Sequence, residues 1–247
     1  MSGQKKKGIS REGLLLAVVV LFWFALYLHI PYQTPFLTAA GVAAGFTGTI
    51  VGAYGITQLV FRLPLGVLAD YAGKHKIFVI LGAGLAGFAC LVRLLVPTGP
   101  GFLAANLISG CAASMWIAYM VLYSNYFSKK EQQKATSKVI MACNLGMCLA
   151  FVFSSCFYGK MGMAFLCGAG VIAGIAGVIG GIFVKEDLMP MTGKGEKRPG
   201  IGTYLSVCGN RRLILFALLA LIQQGIQMAT AMSFTCLLYT SDAADEL

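Results

Sequence analysis

The chain has 247 residues, of which 58% are hydrophobic and only 11% are charged. A soluble domain is about 45–50% apolar and about 25% charged, so this composition excludes an ordinary water-soluble globular protein. The formal net charge is +10, but the basic residues form short patches between long apolar runs, which is typical of membrane loops and argues against nucleic-acid binding.

Seven apolar runs approach the length of about 20 residues that a helix needs to cross the hydrocarbon layer. The first follows a basic tail, but it is too long for a signal-peptide core and no small-residue cleavage site follows it, so we interpret it as a retained span. The predicted spans are Gly13–Ile30, Phe46–Ala69, Ile77–Val96, Gly101–Phe127, Ser137–Tyr158, Gly162–Val184 and Leu213–Thr235.

The distribution of Lys and Arg predicts how these spans are oriented. Sixteen of the 19 basic residues lie in the N-terminal tail or in every second connection, whereas the other connections hold only Lys160. Because cationic loops stay in the cytoplasm, we expect a multi-pass protein of the cell membrane with a cytoplasmic N-terminus. This argues against heptahelical receptors, whose N-terminus is outside, and Leu213–Thr235 also lacks the Lys that would bind retinal.

The most specific motif joins the second and third predicted spans, where residues 62–76 read RLPLGVLADYAGKHK. Gly73 permits a tight turn with positive φ, and Gly66 would let another helix approach closely. Asp70 is a carboxylate at a helix end near the membrane face, where it needs a cationic or helix-terminal partner. The segment resembles the G-x-L-A-D-x-x-G-[RK]-x-[RK] signature of the major facilitator superfamily, with matches at Gly66, Leu68, Ala69, Asp70, Gly73, Lys74 and Lys76.

The resemblance implies an all-α polytopic helix bundle that carries a small solute, with or without a coupling proton or sodium ion. It also implies a charge latch that holds the cytoplasmic side shut in one state, formed by Gly66, Asp70, Gly73, Lys74 and Lys76. The alternative is that this loop only anchors the topology. The Gly73-Lys74 pair is weakly repeated at Gly159-Lys160, on the opposite side of the membrane. This repeat fits the 3+3 inverted arrangement of such a six-helix half.

Two departures from the family pattern weaken a proton-coupled drug-exporter interpretation. Similar transporters often read R-x-x-x-G-x-[GA]-A in span four, where this chain has Asn106 in place of the Arg. Span five contains Asn144-Leu145-Gly146 but no G-P-x-x-G-G, which is the antiporter signature.

Polar residues within the spans are the candidates for a transport pathway: Thr47, Tyr54, Gln58, Arg62, Asn106 and Asn144. The first four fall on one stripe of span two, about 80° wide, beside a glycine stripe (Gly48, Gly52, Gly55) that we expect to pack against a helix. A water-filled cavity would satisfy the polar stripe. Equally, Arg62 could snorkel to the cytoplasmic surface while Gln58 bonds a neighbouring helix.

Two further polar residues have simpler explanations. His29 and Arg93 lie near the outer ends of their spans. We expect His29 to lie at the membrane interface, and we expect Arg93 to snorkel, with its charged group extended to that interface. No enzyme site, cofactor site or metal site is predicted, because the two histidines lie far apart in the topology and no nucleotide-binding loop occurs. The eight cysteines form no C-x-x-C pair and are interpreted as packing residues. The competing class is a non-transporting membrane protein such as a receptor or scaffold.

The predicted organisation is half of a larger transporter. Residues 1–184 are expected to form a six-span N-terminal domain, and 213–235 a seventh helix that would begin a missing C-terminal half. Residues 185–212 are polar and basic and are interpreted as a cytoplasmic linker between two bundles, with an ordinary cytoplasmic loop as an equally consistent alternative. Residues 236–247, CLLYTSDAADEL, resemble translated sequencing-adapter sequence and are expected not to be native. The missing half would then be the main protein partner, with the lipid bilayer around both.

Overall fold

The computed structural model describes residues 11–186 and, beyond them, only positions 211, 214, 215, 218, 219, 222, 223, 225 and 226. The chain divides into two compact units, Met1–Leu188 and Met189–Leu247. In the second unit the described positions are helical. The other residues of the predicted seventh span, most of the predicted linker and the predicted foreign tail lie outside the described residues.

The described part of the first unit is helical and contains no strand. Its helices are α1 (Arg11–Tyr27), α2 (Ile30–Ala39), α3 (Ala44–Ala72), α4 (His75–Leu95), α5 (Gly99–Ser114), α6 (Trp116–Ser124) and α7 (Gln132–Phe183), with a short 3-10 turn at Lys129–Glu131. Five segments are long and apolar enough to cross a membrane: Arg11–Ala39, Ala44–Ala72, His75–Leu95, Gly99–Ser124 and Gln132–Phe183. The predicted fold class, an all-α membrane helix bundle, is confirmed.

The first crossing segment is longer than the sequence predicts. The expected connection at residues 31–45 is largely helical, because α2 runs to Ala39. Pro31 lies in the first turn of α2, where its missing N–H and fixed φ suit a helix start. Pro31 therefore begins a second helical segment where the sequence predicts a connection.

The last crossing segment reverses direction at one glycine. The 52 residues of α7 would extend about 78 Å as a straight helix, more than twice the hydrocarbon thickness of about 30 Å. Gly162 interrupts it with φ 72° and ψ −175°, a conformation that is essentially restricted to glycine. Each of the two limbs, 132–161 and 163–183, has the roughly 20 residues that one crossing of the hydrocarbon layer requires.

We expect Gly162→Ala to destabilise the protein by about 1–3 kcal/mol, because alanine is strained at this φ and ψ. A Cβ at Gly162 would meet no atom within 4 Å, so the effect isolates backbone strain from packing. The matched control is Gly159→Ala, which is also uncrowded but helical, and should be neutral or slightly stabilising. Thermal unfolding in detergent measures both, and equal melting temperatures would contradict this account of the turn.

The helices meet where small residues allow close contact. A Cβ on Gly174 of α7 would overlap the backbone of Gly87 in α4, and one on Gly146 would lie 2.6 Å from the carbonyl oxygen of Val20 in α1. The two limbs of α7 therefore pack closely against α4 and α1. This is the packing that small residues permit in membrane bundles.

Aromatic side chains fill the middle of the bundle. The rings of Phe22 and Tyr119 stack with their centroids 4.7 Å apart, and Trp23 meets Trp116 edge-on at 5.3 Å. The Tyr119 hydroxyl donates to the carbonyl oxygen of Val79 at 2.7 Å. Trp116 thus contributes to bundle packing, and these contacts join α1, α4 and α6.

Candidate functional site

The motif between α3 and α4 forms a tight turn at one end of the bundle. This end, called the charged end below, carries Asp70–Lys76, Lys129–Glu131 and Lys185–Glu186. Gly73 ends α3 in the left-handed conformation, with φ 60° and ψ 20°, and its N–H donates to the carbonyl oxygen of Ala69 at 3.0 Å. The positive φ that the sequence predicts at Gly73 is therefore present.

Gly66 is less crowded than the sequence suggests. A Cβ at this position would lie 3.5 Å from the Ile117 side chain, an ordinary van der Waals distance. Among the described residues, therefore, nothing requires glycine here.

A buried histidine connects Asp70 to the end of α7. The Nε2 atom of His75 lies 3.3 Å from Asp70 Oδ1, and Nδ1 lies 3.6 Å from Glu186 Oε1. The side chains of His75 and Glu186 are 11% and 12% exposed, whereas that of Asp70 is 50% exposed. The imidazole thus lies between two carboxylates that are far apart in sequence.

Glu186 also caps α4. Its Oε1 accepts a hydrogen bond from the His75 N–H at 2.6 Å, and its Oε2 accepts one from the Lys76 N–H at 3.3 Å. The residue at the α4 N-cap, Lys74, makes no capping bond, so this carboxylate satisfies two donors that would otherwise lack partners. Its charge is also favourable at a helix N-terminus.

The two motif lysines differ in their surroundings. Lys76 Nζ donates to the carbonyl oxygen of Ile182 at 2.6 Å, next to the C-terminus of α7, where a cation is favoured. Lys74 is exposed. Together, Lys76 and Glu186 join the start of α4 to the end of α7.

Sequence reasoning missed Glu186. Two signals were available: α4 begins without a capping side chain, and Glu186 is the first acid after the sixth apolar run. Neither signal specifies that a residue 110 positions away supplies the cap, so only the fold pairs them.

The predicted polar stripe of α3 divides between two environments. Thr47 and Tyr54 are buried at 5% and 7% exposure, whereas Gln58 is half-buried and Arg62 is exposed. The structure does not bring all four together around one interior space. Their role as pathway residues stays a prediction.

The expectation for the glycine stripe is wrong within the described part of the chain. Gly48, Gly52 and Gly55 are exposed, and a Cβ on any of them would meet nothing within 4 Å. Neighbouring apolar residues on α3, including Ile56, Leu59 and Leu63, are 61–69% exposed. The glycines that pack in the described bundle lie on α4, α5 and α7 instead.

Asn144 lies on a second open face. It is exposed and borders a shallow groove along the first limb of α7, with Ser137, Ile140, Met141, Leu145 and Cys148. All the groove residues belong to one helix, so this is an uncovered helix face and not an enclosed site.

Asn106 and Arg93 form a buried polar cluster at the opposite end of the bundle. Asn106 Nδ2 donates to the carbonyl oxygen of Ile50 at 2.7 Å, and its Oδ1 accepts from Arg93 Nη2 at 2.6 Å. The same Nη2 donates to Ser109 Oγ at 2.9 Å. These bonds link α3, α4 and α5, and Arg93 supplies a guanidinium beside the position where the family motif has its own Arg.

The expectation for Arg93 is wrong. Arg93 is 1% exposed, so its charged group lies inside the bundle and does not snorkel. His29 is also buried, at 4% exposure, and its position relative to the membrane interface stays a prediction. The physical reason for Arg93 is that Asn106 and Ser109 provide acceptors inside the bundle. The described residues include no group of His, Cys, Asp and Glu that could hold a metal ion.

Comparisons with known proteins match this chain to transporters. The family model described as Major Facilitator Superfamily matches residues 15–242. The inner membrane transport protein YajR of Escherichia coli K12 is 26% identical over 149 residues, covering 59% of this chain and 32% of its own. An uncharacterized transporter of Buchnera aphidicola is 31% identical over 90 residues, covering 36% and 22%.

A solved structure supports the fold. The POT family transporter PepTSo matches with a TM-score of 0.62 at 14% identity, over 93% of this chain and 52% of its own. At this identity the likeness concerns the fold alone. The chain therefore spans about half of that transporter and about one third or less of the two curated relatives.

Proposed function

Because the chain belongs to the Major Facilitator Superfamily, we propose that it forms part of a transporter that moves a small solute across the cell membrane by alternating access. The observation that carries the proposal is the family match over residues 15–242, together with a bundle of apolar spanning helices. Transport in such folds is secondary active or facilitative and uses a site between two halves that rock against each other.

The first six crossings form one half in this proposal, and a second half completes the transporter. The uncovered faces of α3 and of the first limb of α7 support this division, because each carries exposed apolar side chains together with Gln58, Arg62 or Asn144. In the assembled protein Gln58, Arg62 and Asn144 would face the solute and the other half. The other candidate pathway residues, Thr47, Tyr54 and Asn106, are buried inside the first unit and would support the pathway from within the bundle. The carrier needs no cofactor and performs no covalent chemistry. If transport is secondary active, the coupling ion would be a proton or sodium; facilitative transport would need none.

The charged end acts as the cytoplasmic gate in this proposal. Asp70 is tied through His75 to Glu186, and Lys76 is tied to the last turn of α7. Movement of the α3–α4 turn is therefore coupled to the segment that leads toward the other half.

We propose that the N-terminus and the charged end are cytoplasmic, on the basis of the Lys and Arg distribution. Cysteine substitutions at Lys7, Lys130 and Lys197, in a cysteine-free background, should all be protected from an impermeant thiol reagent in intact cells. Lys160→Cys is the matched control on the other side and should be labelled. External labelling at two of the three inner positions would overturn the orientation.

The transport proposal is tested with the full-length parent protein in proteoliposomes. We expect saturable uptake of at least one solute from a panel of charged and neutral metabolites, with proton or sodium ionophores revealing any coupling. Absence of uptake across the panel, with correctly inserted protein, would favour a non-transporting receptor or scaffold.

A further inference from the structure

One imidazole ring lies between two carboxylates at the charged end. The Nε2 atom of His75 lies 3.3 Å from Asp70 Oδ1, and Nδ1 lies 3.6 Å from Glu186 Oε1, so each ring nitrogen faces a carboxylate of its own. A neutral imidazole has one N–H and one lone pair, whereas a protonated imidazole has an N–H on both nitrogens. Only the protonated ring presents an N–H and a positive charge to both carboxylates at once.

The acids that contact this ring come from two separate parts of the chain, α3 and the segment after α7. On α4 itself, Lys76 Nζ donates to a carbonyl oxygen of α7 at 2.6 Å, and Lys74 is exposed. The neighbouring helix α6 contributes an apolar residue, Ala118, which packs with Ala69 and Phe78 in a buried cluster. Other titratable residues of the adjacent turns are Tyr71, Tyr126, Lys130, Glu131 and Lys185.

The charge on the ring decides how firmly the α3–α4 turn is held. Glu186 accepts from the N–H groups of His75 and Lys76, so it stays with the start of α4, whereas Asp70 belongs to the end of α3. The side chain of Asp70 is 50% exposed, so the cluster is open to protons from the solution at the charged end. Histidine is the side chain that ordinarily changes charge between about pH 5 and pH 8.

We propose that His75 makes the gate sensitive to the pH at the charged end. The protonated ring ties Asp70 to Glu186 and keeps the gate shut toward that side, whereas the neutral ring holds Asp70 less firmly and the gate opens more readily. This inference rests on the proposed gate, for which it names a regulator, the proton concentration at that face of the membrane. A state that holds the proton between two carboxylates is favoured as the pH falls.

The protonation of His75 is measured first, in the purified chain in detergent, by nitrogen-15 NMR of the imidazole rings. The chain has two histidines, so His75→Gln identifies the signals of His75. We expect the ring to gain a proton as the pH falls from about 8 to about 5. In Asp70→Asn and in Glu186→Gln it should gain the proton at a lower pH, because each substitution removes a negative charge that favours the protonated ring.

The matched control is Glu131→Gln, which removes an acid at the same end that accepts from Ser128, and it should titrate like the wild type. An identical titration of His75 in the wild type, Asp70→Asn and Glu186→Gln would overturn the proposal, since the two carboxylates would then not hold the proton.

The effect on the gate is tested with the full-length parent in inside-out membrane vesicles, where an impermeant thiol reagent reaches only the charged end. Ionophores equalise the pH on the two sides, and no solute is added. The reporter is Arg62→Cys in a cysteine-free background, on the α3 face that would line the pathway. Its labelling rate is divided by that of Lys130→Cys at the same pH, so that the pH dependence of thiol reactivity cancels.

We expect this ratio to be at least about fivefold lower at about pH 6 than at about pH 8. His75→Gln cannot become charged and should keep the higher ratio at both pH values. His75→Lys stays charged over this range and should keep the lower ratio at both. A ratio that changes with pH in His75→Gln as it does in the parent would overturn the proposal.

Two outcomes separate this inference from the proposed function. If the parent takes up a solute but its labelling ratio is independent of pH, the pH-sensitive gate is wrong and the transport function stands. If the parent takes up no solute while the ratio depends on pH through His75, the transport function is wrong and the pH-sensitive movement of the charged end stands.

Discussion

Asp70→Asn in the full-length parent should reduce solute uptake at least tenfold while insertion and abundance stay normal. The carboxylate is half exposed and pairs with His75 at 3.3 Å, and an exposed pair of this kind is worth about 0–1 kcal/mol. A tenfold change requires about 1.4 kcal/mol. The expected loss therefore includes a contact with the second half of the transporter, made in the state that is closed to the cytoplasm.

The measurement combines uptake with thiol accessibility on the two sides of the membrane. Asp70→Asn should shift accessibility toward the state that is open to the cytoplasm, because the proposed latch stabilises the opposite state. The matched control is Glu131→Gln, which changes an acid to an amide at the same end of the bundle, where Glu131 accepts from neighbouring Ser128. An uptake rate equal to the parent's would mean that Asp70 is a solvated loop acid and no latch.

Local features of the gate could be predicted from the sequence because neighbouring residues determine them. Gly73 ends a helix and opens a turn, and its positive φ follows from the absence of a Cβ. The spans themselves follow from apolar length, since the membrane sets the number of residues that a crossing needs. Both kinds of feature depend on residues that are close together in the chain.

Features that depend on neighbouring helices were not predictable in the same way. The burial of Arg93 is decided by Asn106 and Ser109 on α5, and a pattern within α4 alone cannot distinguish this arginine from one that snorkels. Similarly, Gly87 packs because Gly174 lies opposite it, whereas Gly52 has the same chemistry and faces open space. The type of a small or polar residue limits the packing contacts and hydrogen bonds that it can make. The adjacent helix determines whether those contacts and bonds form.

Glu186→Ala should lower the melting temperature of the protein by about 4–8 °C. The substitution leaves the backbone N–H groups of His75 and Lys76 without their acceptor, and unsatisfied buried donors cost about 2 kcal/mol, which for 150–250 residues corresponds to that shift. Glu186→Gln should lower it less, because one oxygen acceptor remains while the favourable charge at the helix N-terminus is lost. The control is Glu12→Gln, which breaks a long-range contact with Lys138 at 3.4 Å on a more exposed surface and should shift the melting temperature by less than about 2 °C.

Glu186→Gln also tests whether Glu186 takes part in gating or only stabilises the fold. If Asp70, His75 and Glu186 act as one unit, Glu186→Gln in the full-length parent should reproduce the accessibility shift of Asp70→Asn, and the double variant should lose little more uptake than either single variant. Independent contributions would instead multiply, so that two tenfold losses become about a hundredfold. A Glu186→Gln protein with a lowered melting temperature but parental uptake would show that the carboxylate stabilises α4 and takes no part in gating.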